Sequence, residues 1–191
     1  NEGLVPTSLA AQWRGQAAQF SFDAEPFSVA LSGQFDIDKV LEIAGMDETW
    51  QAYLEGQSYW HWHLTPASSG SFLQASSDLV GVDVRFPDPL NKLSFQPADL
   101  QVQVPFGDDT PVHIRYQDEV DALLVLDDVG AVTGVNIGLI GSCESSGDPN
   151  CGRAAAMPTT GQGWLYGAGT SADLLSWVDV IEVLAGEGGD G

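Results

Sequence analysis

The chain has 191 residues, enough for one domain, and 43% of them are hydrophobic, which is sufficient for a buried core. It contains 6 Lys and Arg residues against 27 Asp and Glu residues, so the formal net charge is −21. Such a surface repels phosphate backbones and anionic lipid headgroups, which excludes nucleic acid as a partner and electrostatic docking on an acidic membrane. The acidic residues are scattered along the chain, and adaptation to a salt-rich environment explains them without a specific cation-binding role.

The N-terminal part of the chain alternates between apolar and polar residues. The alternation covers residues 9–13, 20–22 and 27–33, and it resumes at Tyr59. A period of two places the apolar residues on one face of an extended strand, and the acidic and proline residues at 23–26 are typical of a turn. We therefore predict strands joined by short turns in this region.

Two short helices are predicted to interrupt these strands. Asp36 or Asp38 is a suitable N-cap for a helix that ends at Gly45, because apolar residues follow at helical spacing. Asp47 is a suitable start for a second helix, which ends at Gly56. The aromatic residues of this second helix are expected to fill the space between helix and sheet.

The region from Gly70 to Gly141 has the clearest pattern, since apolar residues occupy alternate positions in one short segment after another. This pattern predicts an antiparallel sheet with one apolar face. The function depends on whether that face meets a packed core or a lipid. The predicted segments are Val80–Phe86, Leu100–Phe106, Val112–Tyr116, Val120–Leu126 and Val135–Leu139.

The C-terminal region holds both cysteines of the chain. Residues 143–163 are rich in Ser, Gly, Pro and Thr and predict a loop, in which Cys143 and Cys151 are candidates for a disulfide. Two free thiols and half of a metal site are the alternatives, and only the disulfide implies an oxidising compartment. After a last strand, residues 170–186 predict a helix, and residues 1–191 together predict a single β-rich segment of a larger protein.

Residues that carry catalysis in other proteins form no motif in this sequence, so we do not expect an enzyme. The chain has no nucleophile elbow, no phosphate-binding glycine loop and no His-Glu-x-x-His zinc motif. His61 and His63 share one face of a predicted strand and are weak candidates for metal ligands, but the simpler interpretation places them on a solvated face. We therefore predict no metal and no cofactor. No apolar run reaches the ~18 residues that span a bilayer.

Several segments resemble the YhdP branch of the AsmA-like proteins. Residues 72–82 contain a Ser-Ser-Asp-Leu-x-Gly strand motif, and residues 86–92 contain a turn of the form Pro-x-Pro-Leu-x-Lys. Residues 33–37 and 114–124 are also similar to that family, as is the strand at 164–167 that leads into a predicted helix. The loop over residues 143–163 is the main departure from the resemblance.

The resemblance implies a large envelope protein of Gram-negative bacteria that is anchored in the inner membrane and extends through the periplasm. Proteins of this type form long, curved antiparallel sheets with a hydrophobic groove and take part in moving phospholipid toward the outer membrane. The expected fold is therefore mainly β, a curved or U-shaped antiparallel sheet with an apolar concave face and two or three short helices. The expected partners are phospholipid acyl chains and other envelope proteins, with the membrane anchor outside this segment.

The expected groove lining is the apolar face of the predicted strands. The candidates are Val82, Val84, Val102, Val104, Ile114, Leu124, Val135 and Ile137. The core of a β-sandwich produces the same alternation, so two other functions remain open. One is a secreted β-sandwich module that binds glycans through Tyr59, Trp60 or Trp62, and the other is a structural or protein-interaction domain of the cell envelope.

Overall fold

The computed structural model describes residues 7–24, 27–43, 48–66, 71–106, 111–126, 132–139 and 163–167, together with Ser176 and Asp179. The described chain is mainly β, as predicted from the alternation of apolar residues. Its strands are β1 (Thr7–Trp13), β2 (Gln16–Ala24), β3 (Phe27–Asp36), β4 (Leu54–Thr65), β5 (Ser71–Ser77), β6 (Val82–Val84), β7 (Leu100–Phe106), β8 (Val112–Tyr116), β9 (Val120–Leu126), β10 (Val132–Leu139) and β11 (Gly163–Gly167). Its helices are α1 (Ile37–Ile43) and a short 3-10 helix (Glu48–Ala52).

The sheet is an antiparallel meander that is not closed. Along the sheet the strands follow the order β1-β2-β3-β4-β5-β7-β8-β9-β10-β11, and β6 pairs with the start of β4 outside this path. All neighbours pair antiparallel except β10 and β11, which are parallel. The first hairpin turns at Arg14 and Gly15, whose φ angles are 49° and 84°. Two consecutive residues with positive φ fit the right-handed twist of a two-residue hairpin.

One face of the sheet is apolar from edge to edge. Residues that pair across strands point to the same face, so the strand register defines rows that cross the sheet. One such row crosses all ten strands of the path and consists only of apolar residues: Leu9, Phe20, Leu31, Trp62, Ala75, Val102, Ile114, Ala122, Ile137 and Leu165. We call this side the apolar face and the opposite side the polar face.

A cover lies over one end of the apolar face. It consists of α1, the 3-10 helix and residues 78–99, which include β6. Helix α1 forms because Ile37, Val40 and Leu41 recur at helical spacing, and all three are buried. The cover and the sheet beneath it share one hydrophobic core.

The structure differs from the sequence-based prediction at two places. The predicted strand Val80–Phe86 is reduced to β6, because the chain turns at Gly81, whose φ is 98°. The predicted second helix is a 3-10 helix, and Leu54 already begins β4. The disulfide candidates Cys143 and Cys151 lie outside the described residues, as does almost all of the helix predicted over 170–186.

Candidate functional site

The apolar face carries no charged residue at any position of the ten strands that form the path, although the chain has 6 Lys and Arg residues and 27 Asp and Glu residues. The contrast with the polar face is sharp. One residue further along each strand, a neighbouring row contains Gln19, Ser32, His61, Ser76, Gln101, Arg115 and Asp121. Charged side chains are therefore confined to one side of these strands, and the other side is suited to hydrocarbon.

The apolar face has a covered half, in which the side chains belong to the core. Phe35 and Trp60 are exposed by 1% and 2%, and they lie under the cover together with Leu100, Tyr116 and Val120. Burial of this kind is typical of a packed interior, which leaves no room for a ligand.

Towards the other ends of the strands, the apolar face has an open half. Leu9, Phe27 and Phe106 are exposed by 56%, 49% and 54%, although all three lie on the apolar face. Val112, which pairs with Leu124, is exposed by only 8%. The other residues between them are half-buried: Phe20, Phe22, Val29, Leu31, Leu64, Leu73, Val104, Leu124 and Val135. No helix or strand among the described residues covers them. The open half is therefore the part of the apolar face at which most of the described side chains keep some exposure to solvent.

The apolar face is concave near β1. Trp13 in β1 and Trp62 in β4 bring their ring centroids to 6.4 Å, and Trp13 also meets Phe35 edge to face at 5.4 Å. Three strand spacings separate β1 from β4, which amounts to about 14 Å in a flat sheet. The ring of Phe35 lies against Gly33, and Trp13 and Trp62 meet on the apolar side of β2 and β3, as side chains do when a sheet curves toward that side.

Lys92 fixes the cover from within. Its side chain is 4% exposed, and the ammonium donates to the carbonyl oxygens of Leu79, at 2.9 Å, and of Val82. Burial lowers the pKa of Lys92 from its ordinary value of 10.5, and the nearby carboxylates of Asp83 and Asp78 partly oppose this. The lysine thus ties its own segment of the cover to the turn at Leu79–Val82 by satisfying two carbonyl groups of that turn.

Tyr116 connects the cover to the sheet. Its hydroxyl, which lies at the end of β8, donates to the carbonyl oxygen of Leu90 in the cover at 3.1 Å. Burial raises the pKa of Tyr116 above its ordinary value of 10.0, and Gln117 opposes this with a hydrogen bond. This hydrogen bond between the sheet and the cover, one of several that join them, requires the phenol to keep its proton.

Two glycines allow the cover to approach the backbone of β4. Gly56 and Gly81 have φ angles of 123° and 98°, and a Cβ atom on either would lie 2.1 Å from a backbone carbonyl oxygen of the other segment. The amide of Gln57 donates to the carbonyl of Gly81 at 3.1 Å across this contact. Only glycine fits both positions.

The predicted lining residues separate into two groups. Val102, Val104, Ile114, Leu124, Val135 and Ile137 lie half-buried on the apolar face. Val82 and Val84 are exposed by only 0% and 3%, because they belong to β6 in the cover and pack into the core, so they do not line the open half. Strands β2 to β5 also contribute to the open half, although none of their residues was among the predicted lining. The signal was present, because residues 20–22 and 27–33 have the same period of two.

The polar face carries the candidates for the other functions. His61 and His63 are exposed there, and His63 shares a 3.2 Å hydrogen bond with Thr65. Within the described ranges, no three His, Cys, Asp or Glu side chains are grouped as a metal site. Of the proposed glycan-stacking residues, Tyr59 is exposed, whereas Trp60 is buried and Trp62 is half-buried on the apolar face.

A shallow depression in the polar face is surrounded by Gln74, Gln101, Gln103, His113 and Arg115, with Val102 beneath them. The imidazole of His113 pairs with the buried carboxylate of Asp121. The amide side chains therefore form a row beside the hydrogen-bonded pair of His113 and Asp121.

Comparison of the chain with protein-family models, with curated proteins and with solved structures finds no match. Neither helix in the described part of the chain has the length and apolar character needed to cross a membrane.

Proposed function

We propose that this chain binds the acyl chains of phospholipid along the open half of its apolar face, as a segment of an AsmA-like periplasmic protein that carries lipid between the inner and outer membranes. The single observation that supports the proposal best is the row of apolar residues that crosses all ten strands and begins at the solvent-exposed Leu9. At a spacing of about 4.8 Å per strand, this row is about 43 Å long along the sheet.

The chemistry of the open half is suited to hydrocarbon. Each buried methylene group of a lipid tail stabilises the complex by about 0.8 kcal/mol, so many weak contacts replace one specific site. Half-buried side chains such as Val104 and Leu73, which pair across β7 and β5, lose their remaining exposure when a tail lies over them. A surface of this kind holds a lipid without a cofactor and without catalytic residues.

The concave shape favours a tail over a flat partner. Convergence of Trp13 and Trp62 over the sheet gives an acyl chain contacts on more than one side. The absence of charge on this face means that a tail displaces only water and leaves no buried ion unpaired. Phospholipid headgroups then remain in solvent, away from the acidic polar face.

The test is a titration of the purified protein with a fluorescent fatty acid, together with mass spectrometry of the lipids that copurify. Val104→Asp places a carboxylate in the open half and is expected to weaken binding by about tenfold or more. Gln103→Asp introduces the same charge one residue away on the polar face and serves as the matched control. Far-UV circular dichroism establishes that both variants are folded.

Phe106→Asp provides a second variant, because Phe106 is 54% exposed at the end of β7 and is not needed for the core. Loss of binding in Val104→Asp and Phe106→Asp, with retention in Gln103→Asp, supports the proposal. Equal binding by all variants, or a wild-type protein that takes up no fatty acid, rejects it. In that case titration with oligosaccharides tests the binding-module alternative, for which Tyr59 is the exposed aromatic residue.

A further inference from the structure

The outer surface of the cover carries three large apolar side chains on two adjacent turns. Phe95 is 74% exposed, Leu93 is 53% exposed and Val80 is 43% exposed. Val80 is a central residue of the turn Leu79–Val82, and Phe95 is a central residue of the turn Leu93–Gln96. We call these three side chains the apolar tip. Central turn positions are usually occupied by Gly, Asn, Asp or Ser, so turn geometry does not require apolar residues there.

Hydrogen bonds hold the backbone of the apolar tip in place. The amide of Gly81 donates to the carbonyl of Ser94 at 2.7 Å, which ties the two turns together. Leu93 donates to the side-chain oxygen of Gln96 at 2.7 Å, and Ser94 donates to a carboxylate oxygen of Asp83 at 2.6 Å. The three side chains are therefore presented by a fixed scaffold, and their exposure does not come from a loose loop.

The charges around the apolar tip are acidic. The carboxylate of Asp78 accepts from the amide of Val80 at 3.0 Å, and Asp83 accepts from the neighbouring turn. Residues 78–99 contain two basic residues: Arg85 pairs with Glu55, and Lys92 is buried. No exposed cation in this segment remains available for a phosphate or an anionic headgroup.

We propose that the apolar tip inserts into the interfacial region of an electrically neutral, zwitterionic phospholipid bilayer. A convex pair of turns with three apolar side chains offers only a few hundred Å² of apolar surface. A stable contact with a second copy of the chain or with another protein needs about 1,200 Å² or more. Insertion into a bilayer interface scales with the apolar area that enters it and needs no matching pocket, so the bilayer fits this tip better.

The apolar tip lies on the same segment that packs onto the core of the protein. Leu79 and Val82, which flank the tip residue Val80 and Gly81, pack inward into the core. The same segment therefore faces the bilayer on one side and covers the apolar face on the other. The proposal itself stands on the two turns and does not depend on acyl-chain binding in the open half.

The test is flotation of the purified chain with phosphatidylcholine vesicles. Phe95→Asp is expected to weaken partitioning into the vesicles by about 10- to 100-fold, because it replaces the most exposed aromatic residue of the tip. Phe95→Leu is expected to retain most of the binding. Tyr59→Asp alters an exposed aromatic residue on the polar face and is the matched control, which is expected to bind like the wild type.

Two further readouts separate insertion from charge attraction. Addition of salt is expected to leave binding unchanged, and addition of phosphatidylglycerol to the vesicles is expected to weaken it, because the residues around the tip are acidic. Tighter binding to phosphatidylglycerol contradicts the proposal. So does equal flotation of the wild type and Phe95→Asp.

Two outcomes assign the tip to another occupant and overturn the proposal. A wild-type dimer in sedimentation that Phe95→Asp converts to a monomer identifies a second copy. A monomeric wild type that stays off the vesicles points to a partner protein. The fatty-acid titration of Phe95→Asp distinguishes this proposal from the previous one, since Phe95 lies outside the open half and uptake of the probe is expected to be unchanged.

Discussion

The two halves of the apolar face have the same alternation of apolar residues, but one half is buried core and the other is exposed to solvent. In β7, Leu100 and Val104 follow one alternation and point to the same side, but Leu100 packs against the core under the cover and Val104 lies in the open half. The difference arises from residues 78–99, which lie over one end of the strands only. Alternation therefore specifies a face, and a separate segment specifies how much of that face becomes core.

The comparison also explains the distribution of stability that we expect. Side chains in the covered half have neighbours on all sides, and their removal leaves a cavity. Side chains in the open half already meet solvent, and their removal changes little in the folded state. The open half can therefore vary for binding while the covered half maintains the fold.

The largest expected effect comes from removing one aromatic ring from each half. Phe35→Ala in the covered half, where Phe35 is 1% exposed, is expected to lower the free energy of unfolding by about 3–5 kcal/mol. Phe106→Ala in the open half, where Phe106 is 54% exposed, is expected to lower it by less than about 1 kcal/mol. Urea denaturation followed by circular dichroism measures both. Similar losses in the two variants would contradict the division into halves.

A smaller effect is expected where the cover meets β4. Gly81→Ala strains a backbone with φ of 98° and places a methyl group 2.1 Å from the carbonyl oxygen of Gln57, so a loss of about 2–3 kcal/mol is expected in thermal or urea unfolding. Gly15→Ala has the same kind of φ, 84°, but no atom within 4 Å of the new methyl group, and about 1 kcal/mol is expected. If the two losses are equal, strain at φ alone accounts for both, and close approach of the cover does not matter.

The smallest effect concerns the bond between Tyr116 and Leu90. Because the pKa of Tyr116 is raised in the folded state, its contribution is fully present below pH 10.0 and is lost as the pH rises through the folded-state value. Tyr116→Phe is expected to cost about 1 kcal/mol near neutral pH, and this difference from the wild type is expected to shrink in strongly alkaline solution. The lowered pKa of Lys92 changes the free energy of unfolding in the opposite direction as the pH rises. Because both proteins contain Lys92, this change cancels when the two are compared at the same pH. A difference that does not change with pH would show that the phenol proton has no part in holding the cover.

Much of the sheet could be predicted from the sequence, because a period of two is a direct consequence of strand geometry. Segments such as Leu100–Phe106 and Val112–Tyr116 have the predicted bounds. Helix α1 was also predictable from its cap and its apolar spacing. In these elements the conformation that the local sequence prefers also buries the apolar residues, so the local sequence is sufficient to predict them.

The cover could not be predicted in the same way. Val80, Val82, Val84 and Phe86 alternate as a strand does, yet positive φ at Leu79 and Gly81 turns the chain and leaves Val80 exposed. The bonds that hold this segment run from Lys92 to backbone carbonyls, and no periodicity encodes them. For the candidate site, the identity of the apolar face followed from the sequence, whereas the boundary between its two halves depends on contacts between distant residues.

Along the path each strand pairs with the strands before and after it, β4 also pairs with β6, and the cover enters as an excursion between β5 and β7. Removal of the terminal hairpin formed by β1 and β2 therefore breaks no pair elsewhere in the sheet. Such a sheet can gain or lose strands at its edge, and duplication or deletion of one two-stranded hairpin changes its breadth by about 10 Å. The breadth of the apolar face is thus a quantity that evolution can adjust one terminal hairpin at a time, while the remaining strands keep their pairing.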